Sequence, residues 1–251
     1  MTSKLYRLGS CSALALAMLG SVPAMAAGTT AGTSITNTAT INYNVGAVAQ
    51  PAINDGDTFV VDRKINLTVA EVGTATTVVV PGQSGAVTTF TLQNTSNAVL
   101  DFALTTTQLV GGAAAHGGTD SFNVTTPLIY RDTNANGIYD SGTDTAVTFI
   151  DELAADATAT LFVVGNIPGG LLTGAVADVR LIATGREGGG AAAQGAALVQ
   201  TAGANTAGMD TVFADTAGDG DAARDALFKD RQPRAARNPR RAFAACRVSN
   251  R

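Results

Sequence analysis

The chain has 251 residues, with 16 Lys and Arg against 20 Asp and Glu, one His, two Cys and no Trp. Charged residues make up only 14% of it, against about 25% in typical soluble domains, and its 28 glycines and mean hydropathy of +0.18 go with that scarcity. This excludes a highly charged disordered protein and argues against a nucleic-acid binder, and beyond the N-terminus no stretch approaches the roughly 20 apolar residues of a membrane span.

Residues 1–26 read as a signal peptide. Lys4 and Arg7 precede an apolar run, SALALAMLGSV from Ser12, and Ala24-Met25-Ala26 supplies the small-x-small cleavage pattern. Pro23 breaks a helix just upstream of the cut. The apolar core is too short for an anchor, and Cys11 lies before it rather than after it, unlike a lipoprotein cysteine. The expectation is export, to the extracellular space, the cell surface or the periplasm, with no transmembrane segment in the mature chain. Cys11 leaves with the signal and Cys246 stands near the C-terminus. The body therefore carries no internal disulfide and must be held by burial, or by burial plus a metal.

From residue 33 the pattern is alternation. In SITNTATINYNV, Ile35, Ala39, Ile41, Tyr43 and Val45 share one parity, the mark of a half-buried strand. Ile65, Leu67 and Val69 alternate next, then TTVVV at 76–80 closes on Pro81-Gly82, a turn dipeptide. Phe90 and Leu92 precede the turn-like Asn94-Thr95-Ser96-Asn97; Leu100, Phe102 and Leu104 follow it. Further strands are predicted around Leu128 and Tyr130, Val147 and Phe149, and over 158–170 and 177–185. Phe90, Phe102, Phe122, Phe149 and Phe162 fall on strand parities and are expected in the core. About nine short strands without a long amphipathic helix predict an all-β antiparallel sandwich or barrel over 28–186.

The charge is unevenly spread. Residues 28–228 hold 19 acidic and six basic side chains, and 229–251 hold eight basic and one acidic. Residues 187–228 begin GGGAAAQGAALVQTAGANTAG and read as a Gly/Ala-rich acidic linker, or as a loop inside one last, incomplete strand pair. Residues 229–251 read as a disordered basic tail. Its Arg, Ala and Pro without periodicity suit the frameshift product of a GC-rich gene; a basic arm for anionic polymers, or an inert solvated tail, are the other readings.

Residues 33–48 (TSITNTATINYNVGAV), 59–69 (FVVDRKINLTV) and 88–105 (TTFTLQNTSNAVLDFALT) together resemble bacterial surface proteins with conserved-repeat domains of the "DUF-eleven" type. The carrying feature is a strand ending in Asn94-Thr95 followed by a second strand, with Ser96 where glycine is common. The resemblance implies an immunoglobulin-like fold, an envelope or extracellular location, and further repeats after a segment like MDTVFADTAGDGDAARD.

One motif carries chemistry. Asp132, Asn134, Asn136 and Gly137 match the D-x-[DN]-x-[DN]-G start of a calcium loop, in which oxygens at positions 1, 3 and 5 turn inward and glycine at 6 permits the bend. The Ile138 carbonyl and Asp140 extend the ligand set; position 12 is Thr143, with Asp144 one place later. Asp, Asn and Gly also favour turns without metal. The expected cofactor is Ca2+, held weakly by Asp132, Asn134, Asn136, Ile138, Asp140 and Asp144, with Asp151 or Glu152 able to fold back. His116, in GGAAAHGGTD, is expected to be a solvated loop residue; with Ser121 and Asp120 it could form a triad, but no G-x-S-x-G elbow surrounds any serine. Asp151-Glu152 and Asp55/Asp57 are carboxylate pairs of the kind glycosidases use, without the aromatics that stack sugars. The sequence thus predicts a non-enzymatic surface or structural protein, a spacer or adhesive module whose envelope or extracellular partner is unknown, and no nucleic-acid partner. The alternative is a glycan- or protein-binding module that works through its loops, with an exported hydrolase third.

Overall fold

The computed structural model describes residues 28–203 and 206–229. The signal segment 1–26 and the tail from 230 onward lie outside the described residues. The described part contains strands and no helix. In chain order the strands are β1 (Ser34–Ile41), β2 (Asn44–Val45), β3 (Val48–Ala49), β4 (Ile53–Val60), β5 (Arg63–Ile65), β6 (Leu67–Glu71), β7 (Thr77–Val79) and β8 (Ala86–Asn94). They continue with β9 (Leu100–Gln108), β10 (Thr125–Arg131), β11 (Thr145–Ala146), β12 (Phe149–Leu153), β13 (Thr158–Asn166), β14 (Val176–Glu187), β15 (Thr211–Phe213) and β16 (Gly220–Lys229).

Two five-stranded sheets, ordered β11-β10-β13-β8-β6 and β12-β9-β14-β16-β7, form the all-β sandwich that the strand spacing predicts. Pairing is antiparallel except that β7 runs parallel to β16, and β15 parallel to β5 beside the main sheets. Each connection from β6 to β10 crosses from one sheet to the other, so alternate residues of both sheets face one shared core. Phe90, Leu92, Leu100, Phe102, Leu161 and Leu181 lie there with no exposed surface. Phe162 is equally buried but on the opposite parity of β13 from Leu161, covered from outside by the segment after β10. Phe122 packs against the core from its rim, and Phe149 is half-buried.

The Asn94–Asn97 turn ties the β8–β9 corner together. Asn94 is fully buried; its amide nitrogen donates to the carbonyls of Ala98 (2.9 Å) and Leu153 (2.8 Å), while its oxygen accepts the Ser96 N–H. The Ser96 hydroxyl donates to the Asn66 carbonyl at 2.8 Å and accepts the Asn66 N–H at 2.9 Å. A glycine at position 96 could make neither side-chain bond.

Two expected boundaries move. Residues 34–60 lie outside the sandwich. β1 and β4 pair over eight residues as a two-stranded ribbon whose residues are exposed up to Val60, including Ile41 (58%), Ile53 (53%) and Phe59 (55%). Their alternation is real, but both faces meet solvent because no second layer covers them. At the other end, the expected limit at 186 falls inside β14. The Gly/Ala-rich stretch after it folds back along the sandwich edge, and the chain returns through β15 into β16, which pairs with β14 from Val176↔Phe228 to Thr184↔Gly220.

Residues 188–197 are held by carboxylates. Glu152 accepts the N–H groups of Gly189 and Gly190, Asp151 that of Ala192, and Asp101 that of Gly195. A Cβ at Gly195 would lie 1.7 Å from the Glu187 carbonyl oxygen, whereas one at Gly190 would meet nothing within 4 Å. Gly195→Ala should therefore cost about 1–3 kcal/mol of stability by overpacking, and Gly190→Ala much less. Chemical denaturation of the two variants checks this; equal, negligible effects would mean that the stretch is a free linker.

Candidate metal loop and the fixed carboxylates

The segment between β10 and β11 closes as a hairpin loop, with Tyr130 opposite Ala146 and Arg131 opposite Thr145. Its position is fixed by an aromatic stack on the outer face of β13. Tyr139 meets Tyr130 edge-on, with centroids 5.0 Å apart, and Phe162 at 5.9 Å. Burial, followed by the hydrogen bond and charge interaction with Tyr130, raises the Tyr139 hydroxyl above its ordinary pKa.

Five of the expected ligand residues converge in this loop. Asp132 accepts the Gly137 N–H at 2.8 Å on one carboxylate oxygen, and its other oxygen, Oδ1, is buried without a hydrogen-bond partner. Asn134 and Asn136 accept the N–H groups of Asn136 and Ile138 through their side-chain oxygens, and both donate their amide nitrogens to Asp140 Oδ2, at 2.9 and 2.6 Å. Gly137 has a φ of 75°, as the sixth position of such a loop requires. Asp144 is buried and accepts the N–H groups of Thr133 (3.1 Å) and Asp140 (2.7 Å), closing the loop across its neck. The Ile138 side chain is 66% exposed and its N–H belongs to the internal network. Asp151 and Glu152 do not fold back here, since they hold residues 189–192.

His116 departs from expectation. It is not a solvated loop residue: its side chain is 21% exposed, and Nε2 faces Glu71 Oε2 at 3.4 Å and Asp225 Oδ1 at 3.6 Å. The triad partners are dispersed. Asp120 accepts the N–H groups of Gly111 and Asp178, and Ser121 that of Val176. Asp55 and Asp57 sit on the exposed ribbon and accept the N–H of the residue that follows each. Asp178, 1% exposed, pairs with Arg224 through two contacts of 2.8 and 2.7 Å and accepts the Ala115 N–H. That carboxylate holds the Arg224 guanidinium more firmly protonated than an ordinary arginine. Sequence reasoning missed the His116 cluster because its members come from positions 71, 116 and 225, and no local spacing announces them.

No protein-family model and no curated protein matches this chain. Among solved structures it overlaps one titled "AvmM Catalyzes Macrocyclization in Alchivemycin A Biosynthesis", at 10% identity and a TM-score of 0.31, over 71% of this chain and 95% of that one. So low a score carries no argument about fold or activity.

The two asparagine donors hold the Asp140 carboxyl below the ordinary aspartate value, the Asn134 bond first. A depressed folded pKa is a stabilisation present above the unfolded value of about 3.9 and lost as the pH falls through the lower folded one. In carbon-detected NMR, Asp140 should titrate below the ordinary value in the parent and return toward it in Asn134→Ala/Asn136→Ala. An unchanged titration would show that those amides do not bind the carboxylate in solution.

Proposed function

We propose that the protein is a non-enzymatic structural module, exported to the cell surface, the extracellular space or the periplasm, where it acts as a spacer or adhesive unit. The observation that carries this reading is where the chain enters and leaves the sandwich. Arg63, at the start of β5, is ion-paired with Glu187 at one end of β14. Phe228, near the end of β16, pairs with Val176 at the other end. Twelve residues of strand separate those ends, roughly 35–40 Å. A pull between the two points runs along the strands and loads the nine β14–β16 register pairs together, in shear. That geometry supports a load-bearing or distance-setting role, and the ribbon β1–β4 beyond it is the element that would make adhesive contact.

Calcium fits this reading as a stiffener of the 132–144 loop. The carboxylates of Asp132 and Asp140, the side-chain oxygens of Asn134 and Asn136 and the Ile138 carbonyl would hold the ion. The support is the buried, unpartnered Asp132 Oδ1 together with a donor set made of hard oxygens. Ligand at 10–100 times its dissociation constant stabilises by about 1.4–2.7 kcal/mol, several degrees for a domain of this size. The thermal midpoint should rise by that amount in calcium relative to chelator, and Asp132→Ala should abolish the rise. An identical midpoint in both buffers would remove the metal from the loop.

The spacer role is tested by single-molecule pulling in two geometries. Handles at Asp62 and Lys229 load β16 in shear; handles at Leu172 and Lys229 grip neighbouring ends of β14 and β16 and unzip their bonds in turn. The first should rupture at clearly higher force. Equal forces would sink the load-bearing reading.

A further inference from the structure

We propose that His116, Glu71 and Asp225 form a second metal site, distinct from the calcium loop, for zinc or a similar divalent transition metal. The three residues meet at the seam where the chain leaves one sheet for the other. Glu71 ends β6 in the first sheet, Asp225 lies on β16 in the second, and His116 comes from the loop after β9. Their potential ligand atoms all lie within 4.8 Å of one another.

The separations are longer than a hydrogen bond and fit ligands that share a metal ion. His116 Nε2 stands 3.4 Å from Glu71 Oε2 and 3.6 Å from Asp225 Oδ1. A direct N–H···O bond would bring those atoms to about 2.7–3.2 Å. Tetrahedral ligands about 2.0–2.2 Å from a zinc ion lie roughly 3.3–3.6 Å from each other, and both observed separations match. Nε2 is also buried without a hydrogen-bond partner, a costly arrangement for a neutral imidazole facing two carboxylates, which a metal between them relieves and a protonated ring would relieve as an ion pair. One imidazole and two carboxylates suit zinc, and three protein ligands leave a fourth position for water.

The surrounding bonds hold the ligands in place. Asp225 Oδ2 accepts the Thr77 hydroxyl at 2.9 Å, and its Oδ1 stands 3.6 Å from the histidine Nε2. Glu71 Oε2 accepts the Thr74 N–H at 3.0 Å, and the turn is tight enough that a Cβ on Gly73 would lie 3.3 Å from Oε1. The histidine loop is pinned on both sides of His116: the Ala115 N–H donates to Asp178 at 2.8 Å, and the Gly117 N–H to the Ala114 carbonyl at 3.2 Å. Arg224 adds a bond from its guanidinium to the Ala113 carbonyl. Outer bonds of this kind orient first ligands in metal sites. An ion there would stitch three segments far apart in sequence across the edge where β6 packs against β16.

The test uses the mature full chain carrying Cys246→Ser, so that no thiol competes, with calcium in excess to saturate the 132–144 loop. Titration calorimetry with zinc chloride should show one saturable site. His116→Gln and Asp225→Asn should each weaken it more than tenfold, while Asp132→Ala should leave it unchanged, which separates this site from the calcium loop. The chain has a single histidine, so its imidazole NMR signals provide a readout that needs no variant: zinc should shift Nε2 and leave the proton on Nδ1. No saturable binding by the parent, binding unaltered in both ligand variants, or imidazole signals indifferent to zinc would each overturn the site and leave His116 as an ion-pair partner of the two acids.

Discussion

The structure depends on how it treats its acids. The body holds three times as many carboxylates as basic side chains, so most of them cannot be ion-paired. Among the described residues six aspartates are buried: Asp101, Asp120, Asp144, Asp178, Asp210 and Asp225. Asp101, Asp120, Asp144, Asp178 and Asp210 accept backbone N–H groups, from residues such as Glu152 and Gly195, Gly111 and Asp178, Thr133 and Asp140, Ala115, and Thr206. A buried carboxylate is tolerated only when its lone pairs are satisfied, and a hydrogen bond to a charged group contributes about 1.5–3 kcal/mol. With no disulfide in the body, these bonds fasten the long connections to the sheets. Glycine-rich segments suit the task, because their backbone approaches a carboxylate closely; the Gly189–Gly195 stretch is the clearest case.

That strategy explains which parts of the fold were legible in the sequence. The strands β6 and β8 alternate cleanly and are buried on the expected parity, while β13 and β14 carry runs buried on both faces, Leu161–Gly165 and Val176–Val179. β16 was not foreseen as a central strand. On the core-facing parity of GDAARDALFK, an aspartate, Asp225, stands between Ala223 and Leu227, so alternation breaks where a charge is fixed by other means. The ribbon failed in the opposite sense. Ile35, Ile41, Ile53 and Phe59 alternate as core residues would, yet lie 36–58% exposed. Period two reports that one face is apolar; it does not report that anything covers that face. An isolated two-stranded ribbon is marginal in water, and here its base is fixed by Asn97, whose amide donates to the Thr29 and Asp62 carbonyls at 3.1 and 2.8 Å.

The 132–144 loop was legible because its chemistry is local. Alternate Asp and Asn side chains and a glycine at the sixth place can be read within nine residues, and Gly137 has the positive φ that such a turn needs. What could not be read was its anchorage. Tyr139 looks like a filler within the motif, yet it stacks on Tyr130 and Phe162, so the loop closes over an outer sheet face that would otherwise leave Phe162 in water. His116 was unreadable for the converse reason, since its surroundings are assembled by topology. β6 must end one sheet and β16 must lie within the other for positions 71 and 225 to face it.

Both candidate metal positions follow from the same imbalance. Where a carboxylate meets enough N–H groups, the structure is closed: Asp101, Asp120 and Asp144 each have both oxygens occupied. Elsewhere carboxylate oxygens are buried without a hydrogen-bond partner, Asp151 Oδ1 and Asp156 Oδ2 as well as one in the 132–144 loop. Asp132 Oδ1 is the one in the loop, and where β6 packs against β16 the His116 Nε2 is buried between two carboxylates. In the loop the Gly137 N–H serves the other Asp132 oxygen, and at the histidine the Thr74 N–H already serves Glu71 Oε2. A cation would satisfy several inward lone pairs at once, as a bound metal at either position or, at His116, as the protonated ring itself. The chemistry of each position separates the ions: oxygens alone in the loop suit a hard cation such as calcium, and the imidazole at the seam suits a transition metal.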